Sequence, residues 1–81
     1  MKVKEIRFSP RTEEHDLRNK RNQVAKFLKK GHKVRIVILF RRWEKRTMLE
    51  IAKEKLETFT NLGRVGNPIR MDGNRLSVTL M

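Results

Sequence analysis

The 81-residue chain contains no cysteine, only two histidines and no apolar run longer than the five residues Ile36–Phe40. Without cysteine the chain can form no disulfide, no thiolate metal site and no cysteine nucleophile, which fits a reducing compartment. The five-residue run is too short to span a membrane or to form the core of a signal peptide. The length is near the lower limit for a domain that folds around its own hydrophobic core, and we expect residues 1–81 to form a single domain.

Acidic residues are also scarce. Nine Asp and Glu stand against 21 Lys and Arg, which gives a formal net charge of +12 on 9.7 kDa and a pI near 11.2. A charge of this size costs self-repulsion when the chain compacts, so it indicates a polyanionic partner. Nucleic acid is the first candidate. An anionic membrane is the second, and a basic surface that serves only solubility is the third.

Apolar spacing predicts a strand over residues 2–8, then a helix, then a second strand over residues 33–41. Thr12 is the expected N-cap of the helix, because acids favoured at a helix N-terminus follow it, and Gly31 is expected to end it. Arg21 falls within the apolar stripe of this helix. We therefore expect either that the Arg21 stem lies along the edge of the core or that the helix is rotated.

The second half of the chain predicts a further helix and a hairpin. Thr47 and Glu50 have the S/T-x-x-E spacing of a capping box, so the helix is expected to begin there. Strands over about 64–71 and 75–81 follow, joined by the Asp-Gly-Asn turn at 72–74, which suits the positive φ of a hairpin. The order β-α-β-α-β-β predicts an α/β (α+β) fold in which both helices share one face of a four-stranded sheet.

The connection between the second strand and the second helix is strongly basic. It places the only tryptophan, Trp43, among Arg41, Arg42, Lys45 and Arg46, and we call residues 41–46 the basic loop. Arginine offers planar, bidentate contacts to phosphate, and an exposed Trp43 could stack on a base, which contributes ~1–3 kcal/mol where such contacts form. The alternative is a partly buried ring that closes the strand-to-helix corner.

No residue set for catalysis is visible. His15 and His32 have no second histidine or cysteine at ligand spacing. The sequence has no glycine-rich phosphate loop, nucleophile elbow or carboxylate pair. We therefore expect no enzyme activity, no metal and no cofactor.

Three stretches resemble a known family: VKEIRFSPRTEEHDL at 3–17, KFLKKGHKV at 26–34 and MDG at 71–73, with Lys20 at matching spacing. They resemble the C-terminal domain of bacterial translation initiation factor three, and the likeness spans the chain. It implies a two-layer sandwich of two helices on a mixed four-stranded sheet. It also implies binding to the platform of the small ribosomal subunit, mainly through ribosomal RNA, where the domain hinders joining of the large subunit and favours correct pairing of initiator tRNA with the start codon.

The basic positions of the family are matched only in part. Lys20 and Lys26 match basic positions of its first helix, and Arg41 matches the basic residue after a phenylalanine, here Phe40. The family usually reads F-[RK]-G-R-E where this chain reads FRRWE at 40–44. The glycine is absent, and Trp43 precedes the glutamate.

Other departures move a charge to a neighbouring position. Asn22 stands at a usually basic position, while Arg21 occupies the apolar position before it. After the Met-Asp-Gly turn the usual Arg-Asn order is reversed to Asn74-Arg75, and the usual Ala-Pro-Lys ending is absent. Arg21 and Arg75 could replace the displaced charges.

The chain is therefore predicted to be an RNA-binding translation initiation factor domain that binds small-subunit ribosomal RNA as a monomer, with initiator tRNA as an indirect partner and no membrane partner. The predicted phosphate contacts are Lys20, Arg21, Lys26, Arg41, Arg42, Lys45, Arg46 and Arg75, with Trp43 as a stacking residue. We expect a cytoplasmic location, with an organellar matrix as the other setting. The second hypothesis is a stable α/β scaffold, divergent or engineered, that shares the fold without binding the ribosome.

Overall fold

The computed structural model describes residues 2–81, which form four strands and three helices. The elements are β1 (Val3–Phe8), α1 (Glu14–Lys29), β2 (Lys33–Leu39), α2 (Glu44–Thr47), α3 (Leu49–Thr60), β3 (Val65–Asp72) and β4 (Arg75–Leu80). The strands form one sheet in the order β1-β2-β4-β3. β1 and β2 are parallel, and β4 runs antiparallel to both β2 and β3. The sheet is mixed, and the predicted fold class is confirmed.

The hydrophobic core lies between the sheet and the two longer helices. The parallel pair β1 and β2 requires a crossover, which α1 supplies, and α1 packs on these two strands while α3 packs on β2 and β4. The rings of Phe8 and Phe59 stack in this layer with centroids 5.3 Å apart. The buried apolar residues of the core are Ile6, Phe8, Leu17, Val24, Val34, Ile36, Ile38, Phe40, Ala52, Leu56, Phe59, Leu76, Val78 and Leu80.

Two glycines take backbone conformations that other residues rarely adopt. Gly31 has φ +83° directly after α1, and Gly73 has φ +63° in the turn between β3 and β4. The predicted stop of the first helix and the predicted hairpin turn are thus confirmed, because both depend on a left-handed residue at these positions.

The predicted helix caps are wrong. α1 begins at Glu14, and the Thr12 hydroxyl instead accepts the N–H of Ser9 at 3.0 Å within the preceding turn. Thr47 ends α2, and its hydroxyl donates to the carbonyl of Trp43 at 3.4 Å. The region predicted to be one helix forms two helices, α2 and α3. Helical turns begin at Glu44, before the predicted start at Thr47. No helix within residues 2–81 is long and apolar enough to cross a membrane.

Candidate nucleic-acid interface

The topology brings the basic loop and the β3–β4 turn to the same end of the sheet. β1, β2 and β3 run in one direction, so the chain leaves all three strands at this end. The N–H of Phe40 donates to the carbonyl of Asn74 at 2.9 Å, and Arg75 pairs with Leu39 in the register of β2 and β4. The structure therefore places Arg75 beside the basic loop.

A buried carboxylate fixes the backbone of the basic loop. Glu44 is fully buried, and its Oε1 accepts the N–H of Arg41 at 2.7 Å. Its Oε2 lies 2.8 Å from Nε of Arg11, which is close enough for an ion pair, although the geometry is not that of a hydrogen bond. Glu44 has no predicted role in the sequence. The only signal for it was its spacing of three residues from the loop's first arginine.

Three cations of the basic loop share one surface. Arg42, Lys45 and Arg46 have the i, i+3, i+4 spacing of neighbours on a helical turn, and Glu44 points away from them into the core. All three are exposed, and with Leu49 they line a shallow depression of about 390 Å³. Among residues 2–81, no carboxylate lies within ion-pair distance of these three side chains. Their charges remain available to an external anion.

Trp43 lies beside this surface and is 58% exposed. More than half of the residue is open to solvent while the rest is covered, so a partly buried ring at the strand-to-helix corner and a ring available for stacking are both compatible with the structure. Stacking on a base stays a prediction. An exposed indole among guanidinium groups can stack on a base while the neighbouring cations contact phosphates.

The two predicted lysines of α1 lie apart from the basic loop. Lys20 is half-buried and lines a depression with Arg7 and Phe8, between α1 and β1. Lys26 lies in the last turn of α1. It is 12 residues from the start of the helix, which corresponds to about 18 Å along the helix axis. Because α1 runs back along the sheet, Lys26 lies toward the end opposite the basic loop. The structure does not bring it together with Arg41–Arg46.

Arg21 lies between α1 and α3, with 20% of its side chain exposed. Its guanidinium forms an ion pair with Glu14, donates to Oγ1 of Thr58 at 3.2 Å and lies 5.9 Å from the centroid of the Phe59 ring. The expectation that its stem lies along the edge of the core is confirmed. An RNA contact by Arg21 stays a prediction, and its charge already has a protein partner.

Sequence reasoning missed a second group of cations, on the face of the sheet away from the helices. Arg7, Arg35 and Arg70 occupy alternate strand positions whose neighbours face the core. The strand alternation was a sufficient signal, because every second residue of a one-sided sheet faces solvent.

The fold and these surfaces define a small basic α+β domain. Among the described residues, no three His, Cys, Asp or Glu side chains are grouped so that they could hold a metal ion. The chain belongs to the family "Translation initiation factor IF-3, C-terminal domain", which matches residues 1–81. The resemblance found in the sequence is thus confirmed.

Relatives named "Translation initiation factor IF-3" occur in several bacteria. The protein of Corynebacterium glutamicum (strain R) is 34% identical over 82 residues, which cover 96% of this chain and 43% of that protein. The protein of Clostridium tetani is 35% identical over 82 residues, with 96% and 47% covered. That of Caldanaerobacter subterraneus subsp. tengcongensis is 38% identical over 81 residues, with 96% and 45% covered. The chain spans less than half the length of these relatives.

Proposed function

We propose that this domain acts in translation initiation by binding small-subunit ribosomal RNA through the basic loop and Arg75. The observation that supports the proposal is that Arg42, Lys45 and Arg46 face outward together. Trp43 lies exposed beside them, and Glu44 fixes the backbone that holds them. A fixed set of cations loses less conformational freedom on binding than a flexible one. Irregular RNA offers both phosphates and unstacked bases to such a surface.

The proposed mechanism is steric blocking of a ribosomal surface by the bound domain, with no covalent step and no cofactor. A domain bound on RNA at the platform would cover a surface that the large subunit otherwise buries, and so hinder subunit joining. Support of initiator-tRNA and start-codon selection would follow indirectly from the same position. The domain would act as a monomer in the cytoplasm or an organellar matrix.

The proposal implies a strong dependence on salt. Each phosphate neutralised by Lys or Arg releases counterions, with a slope of about −0.7 to −0.9 in log affinity against log salt. The predicted phosphate contacts at this end are Arg41, Arg42, Lys45, Arg46 and Arg75, while Arg11 is paired with Glu44. If all five contact phosphates, the slope is expected to be about −3.5 to −4.5.

Co-sedimentation with isolated small subunits at several salt concentrations tests the proposal. The basic-loop variant combines Arg41→Ala, Arg42→Ala and Arg46→Ala. The control variant combines Lys2→Ala, Lys29→Ala and Lys30→Ala, which removes the same charge from exposed positions at the opposite end of the sheet. We expect the basic-loop variant to lose saturable binding and the control to keep it.

Equal losses in both variants would show non-specific attraction and contradict the proposal. A folded wild-type domain that shows no saturable binding would support the scaffold hypothesis instead. A light-scattering assay of subunit joining adds a functional readout. The wild-type domain should slow joining, and the basic-loop variant should not.

A further inference from the structure

The face of the sheet opposite the helices carries no covering element within residues 2–81, and we call it the open sheet face. It carries five cations and two carboxylates. The strand positions give these as Arg7, Lys33, Arg35, Arg70 and Arg75 against Glu5 and Asp72. Arg75 also belongs to the proposed interface with the basic loop. Without it, four cations still stand against two carboxylates, so the face is basic in its own right.

The register aligns these residues in rows across the sheet. One row runs Arg7, Val37, Ser77, Arg70 through β1, β2, β4 and β3. Three strand spacings of about 4.8 Å separate the ends of this row, so the backbones of Arg7 and Arg70 lie about 14 Å apart. Arg35 lies in the adjacent row, on a central strand. The arginines thus span the width of the sheet.

Two adjoining depressions follow these rows. Arg35, Arg70, Arg75 and Asp72 line a cleft of about 100 Å³ over Val37 and Ser77. Arg35 also lines a wider depression of about 430 Å³ that contains Lys33, Asn67 and Thr79. Since Arg35 borders both, the two depressions adjoin at this residue of β2.

Most of these arginines have no carboxylate partner. Arg7 forms an ion pair with Glu5 at 2.7 Å. Within the described part of the chain, no carboxylate oxygen lies within 4 Å of the guanidinium nitrogens of Arg35, Arg70 or Arg75, although Asp72 pairs with Arg75 in the register. In the register, Arg35 lies opposite Glu5 and Arg75 opposite Asp72, so no two cations of the face are directly paired. The cleft still holds three arginines against one carboxylate, and this net positive charge favours an external anion.

We propose that the open sheet face is a second RNA-binding surface, which takes the phosphate backbone of a single-stranded RNA segment. Arginine forks bind phosphate oxygens bidentately, and the Ser77 and Thr79 hydroxyls can donate to phosphate or sugar oxygens between them. None of the described strand positions on this face is aromatic, so the contact is to the backbone and tolerates any sequence. The inference extends the proposed function but does not depend on binding to the ribosome.

Charge complementarity favours RNA over the other polyanions. A membrane surface requires a set of apolar side chains that insert beside the cations. Here Val3 and Met81 line the wider depression and Leu39 lies at the other end of β2, so the exposed apolar residues form no single patch. Cations spread over about 14 Å of the sheet, from Arg7 to Arg70, suit a regularly charged polymer. An acidic peptide is tested as the competing ligand.

Fluorescence anisotropy with a labelled 12-nucleotide oligouridylate tests the inference at several salt concentrations. The test variant combines Arg35→Gln and Arg70→Gln, and the matched control combines Lys29→Gln and Lys30→Gln. Two lost phosphate contacts should reduce the salt slope by about 1.4 and lower the affinity by at least about tenfold at low salt. The control should change the affinity by less than about twofold. Circular dichroism checks that each variant is folded.

A second variant avoids removing any arginine. Ser77→Glu places a carboxylate at the centre of the face, next to Val37 and Arg70 in the register, and should also weaken oligouridylate binding. Unchanged affinity in either variant, losses equal to the control, or losses confined to a polyglutamate peptide would overturn the inference. Failure of the proposed function would instead appear in the sedimentation of the basic-loop variant, so the two failures are distinguishable.

Discussion

The carboxylate of Glu44 accepts the backbone N–H of Arg41 at 2.7 Å, while the N–H of Glu44 donates to the carbonyl of Arg41 at 3.0 Å. The glutamate reaches back three residues, as the acid of a capping box does. This reciprocal pair closes the turn that carries the basic loop. Since Glu44 is fully buried, a residue that cannot touch RNA determines where the cations lie.

The ion pair between Glu44 and Arg11 should show strong energetic coupling. Arg11→Ala leaves a buried carboxylate without its charge partner, so the free energy of unfolding should fall by about 1.5–3 kcal/mol. In a Glu44→Gln background the same change should cost less than about 1 kcal/mol, because no buried charge remains unpaired. Urea unfolding of the four proteins measures the coupling. Equal costs in both backgrounds would contradict this role of Arg11.

Lys55 connects α3 to the turn after β1. Its Nζ donates to the carbonyls of Pro10 at 2.6 Å and Thr12 at 2.8 Å. Lys55→Met keeps most of the stem but removes both hydrogen bonds, and should lower the free energy of unfolding by about 1.5–3 kcal/mol. Lys53→Met, two residues away on the same helix, is the control and should change it by less than about 0.5 kcal/mol. Similar losses in the two variants would exclude this connection as a source of stability.

The sequence predicted the elements that depend on local patterns. Val34, Ile36 and Ile38 alternate along β2, and all three are buried because they face the helices. Val37, on the other face of this central strand, is buried as well. Gly31 and Gly73 could be predicted at the ends of α1 and β3, because glycine has no Cβ and adopts a positive φ without steric clash. The separation of Lys26 from the basic loop also follows from the parallel crossover, which sends α1 back along the sheet.

The caps and the buried glutamate could not be predicted in the same way. The Thr47–Glu50 spacing is a valid capping signal, but the Arg41–Glu44 pair competes with it and begins the helical turns earlier. Burial of Glu44 depends on Arg11, which lies 33 positions earlier in the chain and approaches only in the folded structure. A local pattern contains no information on such a contact.

Arg21 should contribute more to helix packing than to RNA binding. Its guanidinium contacts Glu14 and Thr58 beside the Phe59 ring. Arg21→Leu should therefore change the free energy of unfolding by less than about 1 kcal/mol, because leucine covers the same apolar surface and the ion pair to an exposed Glu14 is weak. Arg21→Leu should weaken co-sedimentation with small subunits less than Arg42→Leu does. Arg42→Leu is the matched comparison, because it removes an arginine of the basic loop. A larger effect, with the fold intact, would make Arg21 an RNA contact.

Trp43 is the only tryptophan, and its exposed ring makes it a direct probe of the proposed interface. Stacking on a base should quench its fluorescence as small-subunit RNA is added. Trp43→Leu should change the free energy of unfolding by less than about 1 kcal/mol, because more than half of the residue is exposed and leucine covers part of the same apolar surface. The same change should weaken RNA binding by about 1–3 kcal/mol, while Trp43→Phe should retain part of the affinity. Unchanged fluorescence at saturating RNA would show that the ring lies outside the interface, whatever the basic loop binds.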